Sequence, residues 1–249
     1  MISIVLAYYN RQNQLTKTLD SFRQYDAKDF NVIIVDNASD MDIILATLPY
    51  DVKVVKLTDK SWKHCSTTFN TGFLEALKKG ADIIIMQGAE CSHAGDILTY
   101  AKRVTDETYI TFGCYATAQG EDMEAVVRID RPCTMDGQRS WYNHPEIRPV
   151  AYNFCSAITA KNLIKLNGFD ERFKDGMGYE DNYFLHQIAV LGLRIEITAD
   201  PIVYHQYHEV AGDRSNASWQ RNYDLFNELS QGNEFKAKHI LTPDLDASK

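Results

Sequence analysis

No glycine occurs before Gly72 in this chain of 249 residues. The first strand-to-helix turn therefore carries neither Gly-x-Gly-x-x-Gly nor a glycine-rich P-loop ending in Lys-Ser/Thr, and the standard dinucleotide and P-loop readings fall away. A Gly-x-Ser-x-Gly elbow is also missing, which argues against a serine hydrolase. There is no basic excess: 26 Lys and Arg against 34 Asp and Glu leave a net charge of −8. A duplex-binding surface normally shows as the reverse, so nucleic acid is not the expected partner. No apolar run approaches the roughly 20 residues that span a bilayer, so no transmembrane segment is expected. The N-terminus lacks the charged region of a signal peptide. Cys65, Cys91, Cys114, Cys133 and Cys155 are odd in number, widely spaced and without Cys-x-x-Cys. Neither a disulfide framework nor a zinc ribbon follows; reduced, mostly buried thiols in a cytoplasmic protein are the expectation.

What is present is an alternation of strand and helix patterns. The continuous apolar run at 2–8 reads as a strand covered on both faces, 31–35 as a second buried strand, and 52–57, 82–86 and 109–114 as further strands. Helical spacing marks 11–24, 42–48, 67–79 and 95–104 between them. This order implies a mainly parallel central sheet with right-handed crossovers, and ligands beyond the carboxyl ends of its strands. Those ends are Tyr8-Tyr9-Asn10, Asp36-Asn37, 58–63 and 87–90. From 119 to 149 the pattern loosens around Pro132, as in a functional loop or lid. Further strands are expected at 152–159, 194–198 and 202–205, and helices at 161–166, 180–191 and 218–229. The last ten residues read as a frayed tail.

The densest group of chemically useful residues is Gly168-Phe169-Asp170-Glu171-Arg172-Phe173, followed by Asp175-Gly176-Met177-Gly178-Tyr179-Glu180-Asp181-Asn182. Acids at a helix start can simply cap it and oppose its dipole. Two glycines just ahead of them also allow close approach of a ligand, which favours a site. Lys63 and His64 precede the 67–79 helix, where positive charge suits a diphosphate; a solvated loop lysine is the alternative. Trp62, Trp141 and Tyr142 can stack on a sugar or fill the core. His93 reads as a loop or capping residue.

Phe169-Asp170-Glu171-Arg172-Phe173 with Gly176-x-Gly178-x-Glu180-Asp181 resembles the signature of family-2 glycosyltransferases. Ser3–Arg11 is similar to their opening strand and turn, and Val32–Asp40 to their strand ending in Val-Asp-x-x-Ser-x-Asp. Asn70-x-Gly72 with Ala76 and Gly80 matches the helix before their metal motif. Four blocks in the right order cover roughly 1–208.

The resemblance implies the GT-A fold, an α/β Rossmann-like architecture, with a catalytic domain over 1–208 and a helical extension and tail over 209–249. It implies an inverting transfer from a nucleotide sugar, with a UDP-sugar as the family's habitual donor, to a glycan or other hydroxyl acceptor. Asp181 matches the general base and Glu180 its neighbour; a carboxylate at that place can take the acceptor hydroxyl's proton. Asp36 matches the acid that contacts the nucleobase, and Ala7 and Tyr9 the lining of the base pocket. Arg11, Asn37, Lys63, Asn70, Gln87 and Gly88 complete the expected donor contacts. The family's Asp-x-Asp metal motif is altered here to Met86-Gln87-Gly88-Ala89-Glu90. Glu90 is the surviving acid, and a cation on a diphosphate needs only one or two protein carboxylates. His205, in Tyr204-His205-Gln206, matches a metal-binding histidine of the family, and His208 is a further candidate. Such a mixed set suits Mn²⁺ better than Mg²⁺. Two alternatives remain open at this stage: a nucleotide-sugar or glycan-binding module of weak activity, and a sugar nucleotidyltransferase.

Overall fold

The computed structural model describes residues 1–58, 65–123, 125–133, 139–209 and 215–238. The expected donor residue Lys63, together with Trp62, His64 and the tail, lies outside them.

The strands are β1 (Ile2–Tyr8), β2 (Phe30–Asp36), β3 (Asp51–Lys56), β4 (Ile83–Gly88), β5 (Cys91–Ala94), β6 (Thr108–Ala116), β7 (Ser140–Asn143), β8 (Cys155–Thr159) and β9 (Arg194–His205). The helices are α1 (Gln12–Ser21), α2 (Ser66–Lys78), α3 (Ile97–Ala101), α4 (Ala160–Leu166), α5 (Glu180–Val190) and α6 (Asn216–Leu229). Among the described residues the strands form one sheet in the order β3-β2-β1-β4-β8-β6-β9-β5, with β7 pairing β6. The first four are parallel, as the alternation of elements implies. Beyond β4 the sheet is mixed: β8 runs antiparallel to both β4 and β6, β9 is parallel to β6, and β5 is antiparallel to β9.

The apolar runs of β1 and β2 become the sheet interior because both faces are covered there, whereas the edge strand β3 is largely exposed. Ile2, Ile4 and Leu6 face one buried cluster with Leu15, Leu19 and Phe22 of the first helical segment. Val5 faces the other, with Phe69 and Phe73 of α2 and Phe184 of α5. This is the period-2 alternation of a strand between two helical layers. Each such large side chain contributes roughly 2 kcal/mol on burial.

Two expectations are corrected, and one strand is new. Residues 42–48 form no helix: the side chain of Gln12 bonds both the N–H and the C=O of Ile44, holding the backbone open. Ile43 and Leu48 pack on the core while Ile44 is 75% exposed, so the apolar content does not follow one helical face. The two strands expected at 194–198 and 202–205 are one strand, β9, whose pairing with β6 shifts register between Thr111 and Gly113. Strand β5 emerges where the sequence shows only Cys91, Ser92 and His93 between turns.

Among the described residues no helix is long and apolar enough to cross a membrane.

Candidate active site

The turns after β1 and β2 are locked together. Asn10, in a left-handed conformation, donates from its backbone N–H to Ser39 Oγ at 3.0 Å and from Nδ2 to Asp40 Oδ2 at 2.7 Å, and accepts from Asp40 N at 3.0 Å. Beside them, at the carboxyl ends of the parallel strands, opens a cleft of about 830 Å³. Its walls include Ala7, Tyr9, Arg11, Asn37 and Gly88, and also Glu90, Glu180, Asp181, His205 and His208. The structure thus brings ten of the expected site residues to one cavity, contributed by segments up to two hundred positions apart.

Glu90 sits at the tight turn between β4 and β5. His205 Nε2 lies 3.5 Å and His208 Nε2 3.8 Å from its Oε1, and Arg11 Nε is 3.8 Å from Oε2. The three possible ligand atoms of Glu90, His205 and His208 fall within 4.8 Å of one another. Burial raises the Glu90 carboxyl's pKa, but the hydrogen bond from His205 and the charges of His205, Arg11 and His208 outweigh it and bring the value down to about 2. Burial also lowers the His208 pKa, only partly countered by Glu90. An ionised carboxylate and a neutral imidazole are the forms that coordinate metal. Buried Gln206 anchors the segment between the histidines: its N–H donates to the Glu90 carbonyl and its side chain to Gln14 O and Thr18 Oγ1, each at 3.0 Å.

Glu180 and Asp181 open α5, where the acidic first turn faces the positive end of the helix dipole. Glu180 is 8% exposed, and burial pushes its pKa up to about 7 despite hydrogen bonds from the backbone N–H groups of Glu180 and Asp181. Asp181 is half-buried on the cleft wall, and its Oδ1 accepts from Asn153 Nδ2 at 2.8 Å.

The glycines before these acids have a different purpose from the expected ligand approach. A Cβ on Gly176 would lie 2.2 Å from Asn222 Oδ1, and one on Gly178 (φ 70°) 2.4 Å from the Trp219 ring. Both partners belong to α6. Asn222 Nδ2 donates to the carbonyls of Phe173 and Gly178 at 3.0 and 2.8 Å, and Met177 N donates to Ser218 O at 3.2 Å. Helix α6 therefore clamps the loop that delivers Glu180 and Asp181.

Three expected donor residues stand behind the cleft wall. Asn70 is fully buried and bonds the N–H and C=O of Phe169 and the Glu171 carboxylate, joining α2 to the segment before the glycines. Gln87 shares the inward face of β4 with Ile85, two residues back, because strand alternation turns both from the cleft. It donates to Cys91 O at 2.7 Å and pairs with His93 Nε2 at 2.7 Å. Asp36 is 1% exposed and accepts from Ser39 N at 2.9 Å, shaping the turn whose next residues reach the cavity.

His93 is a core residue rather than a loop cap: it lies in β5, its Nδ1 faces Tyr25 OH at 2.9 Å, and burial lowers its pKa to about 3. Trp141 is buried against Tyr115, whereas Tyr142 lines the cleft and packs on the His205 ring. Arg148, Tyr152, Asn153 and Phe154 also line it, and sequence reasoning missed them. Arg148 sits in the loosely patterned segment, where no periodicity singles out a wall residue, and 152–154, expected as the start of a strand, stand ahead of β8. The five cysteines form no disulfide.

An α/β sheet with this cleft at its strand ends is the GT-A fold, as similar solved structures show. One is S. aureus TarS 1–349 in complex with UDP-GlcNAc (TM-score 0.60, 15% identity, 85% of this chain and 60% of that one). A second is GalNAc-T7 with UDP, GalNAc and Mn²⁺ (0.61, 14%, 93% and 50%). A third is the mannosyltransferase PcManGT from Pyrobaculum calidifontis with GDP-Man and Mn²⁺ (0.56, 16%, 99% and 68%). The chain spans about 60% of the length of the TarS 1–349 structure. Residues 3–151 match the model of glycosyl transferase family 2, and 152–209 that of the N-terminal domain of galactosyltransferase. The first match covers more than half of the chain, which belongs to glycosyl transferase family 2. No curated protein matches it.

Proposed function

We propose that the chain transfers a sugar from a nucleoside-diphosphate sugar, a UDP-sugar foremost, to an acceptor hydroxyl with inversion. The observation that carries this is the presence of two unlike groups in one cleft. A carboxylate stands at the start of α5, and a carboxylate–imidazole cluster stands at the ends of β4 and β9. Solved relatives in fold carry UDP-GlcNAc, or a nucleotide or nucleotide sugar with Mn²⁺, which supports the same class of donor here.

In this reading Asp181 takes the proton of the acceptor hydroxyl as its oxygen bonds to the anomeric carbon. The bond from that carbon to the phosphate oxygen breaks, and the nucleoside diphosphate leaves from the opposite face. Ala7, Tyr9 and Asn37 border the place of the base and ribose, with Asp36 behind them. Glu90, His205 and His208 fit a divalent cation by donor type and mutual distance, with Mn²⁺ favoured over Mg²⁺ by the imidazoles. A cation held there would neutralise charge on the leaving diphosphate.

The test is release of nucleoside diphosphate from a panel of UDP-sugars and GDP-mannose with Mn²⁺. Asp181→Asn is expected to bind the same nucleotide as wild type and to lose at least about 100-fold in turnover, on the order of a general base's contribution. Turnover at the wild-type rate would remove Asp181 from the role of base.

A further inference from the structure

The wall residue Asn153 ties the candidate base to the core. Its Nδ2 donates to Asp181 Oδ1 at 2.8 Å, and its Oδ1 accepts from the hydroxyl of Tyr109. Tyr109 is fully buried in β6, beyond the cleft wall. Burial raises its pKa well above the ordinary phenol value, so it keeps its proton and enters the bond as donor. A carboxylate only accepts, so it takes the Asn153 N–H, and the amide oxygen is left to accept from the phenol. Tyr109 holds the far end of that amide from the core.

The segment carrying Asn153 is fixed independently. Asn143 of β7, itself fully buried, donates from Nδ2 to Tyr152 O at 2.7 Å and accepts from Tyr152 N at 3.1 Å. Asn182, next to Asp181, donates to Tyr152 OH at 3.2 Å. Two neighbouring residues of one segment thus hold two neighbouring residues at the start of α5.

We propose that Tyr109 and Asn153 form a positioning relay that sets the orientation of the Asp181 carboxylate, Tyr109 acting only through Asn153. The relay rests on the reading of Asp181 as base. Its parts carry no net charge, so they aim the carboxylate without neutralising it. A salt bridge in the same place would stabilise the ionised form and blunt it as a base.

Kinetics of nucleoside-diphosphate release from UDP-GlcNAc, or whichever panel donor the wild type turns over best, test the relay. Asn153→Ala is expected to lower kcat by about 100-fold, the scale of a displaced reacting group, with the donor KM within about twofold of wild type. Tyr109→Phe lowers kcat roughly tenfold, about the worth of one hydrogen bond. The double variant is no slower than Asn153→Ala alone, because the phenol has nothing left to act through. Asn153→Asp, equal in size and still an acceptor for Tyr109, also loses kcat. Multiplying losses in the double variant, or a raised donor KM with unchanged kcat, would overturn the relay. Independently of turnover, the Asn153 side-chain amide resonance of ¹⁵N-labelled protein should shift in both Tyr109→Phe and Asp181→Ala; its indifference to either would also overturn it. If instead Asp181→Asn keeps full turnover, the assignment of the base fails while the amide shifts still report the relay.

Discussion

At position 180 a carboxyl is buried beside the one proposed to act as base. With its folded pKa raised to about 7, Glu180 holds a proton in the folded chain over a range where the unfolded chain has already lost it. The unfolded state then binds fewer protons between about pH 4.5 and pH 7, and stability falls as pH rises through that window. The difference amounts to roughly 3 kcal/mol at about 1.4 kcal/mol per pH unit. Glu180→Gln removes it. The gain in Tm of this variant over wild type should be near zero at about pH 4.5 and grow up to about pH 7. A gain that is flat in pH would mean that Glu180 stays ionised throughout. The sequence pointed to the pair Glu180-Asp181 through its place after two glycines, and the family resemblance matched Asp181 to the base, but neither told how differently the two are buried. The two residues differ in burial, which depends on what packs over each of them.

At the scale of elements, the loop before α5 depends on α6. Asn222→Ala removes two hydrogen bonds, one to the buried Phe173 carbonyl and one to the half-buried Gly178 carbonyl, and should destabilise the chain by about 2–3 kcal/mol. Gly178→Ala places a methyl group against Trp219 at a left-handed position and should cost a similar amount, on the order of 1–3 kcal/mol. Thermal melts measure both. Trp219→Ala should recover part of the Gly178→Ala loss, and a strictly additive double variant would show that the two do not touch. Most elements were legible because short, β-branched apolar runs such as Val32-Ile33-Ile34-Val35 favour buried strands. Direction was not: nothing in the composition of Cys155–Thr159 records that it runs against β4 and β6. Polar Ser92 and His93 disguised β5, whose inward histidine is satisfied by Gln87 and Tyr25 rather than by apolar neighbours. The partners of Gly176 and Gly178 lie about forty residues further on, beyond the reach of any local pattern.

Across the whole molecule, the metal candidates come from distant places, Glu90 after β4 and His205 and His208 at the end of β9. They meet because β5 pairs with β9 in a register that sets Cys91 opposite His205. The altered Asp-x-Asp region was readable as a departure. Its resolution needed the sheet, which turns Gln87 into the core and leaves Glu90 to the cleft. Glu90→Ala and His205→Ala should each weaken Mn²⁺-dependent binding of UDP by at least about tenfold, the low end for losing one group from a metal site. Calorimetry with and without Mn²⁺ measures this; wild-type binding in both variants would remove the cluster from the donor site.

The clamp by Asn222 and Trp219 also orders events in time. A ribosome delivers Asp181 and every candidate metal ligand before it delivers residues 216–229. Until α6 arrives, the 176–178 loop has no surface to close on, and Asp181 is held from the Asn153 side alone. A nascent chain that has not yet reached α6 can therefore hold the candidate reactive groups while the loop ahead of them is still unclamped.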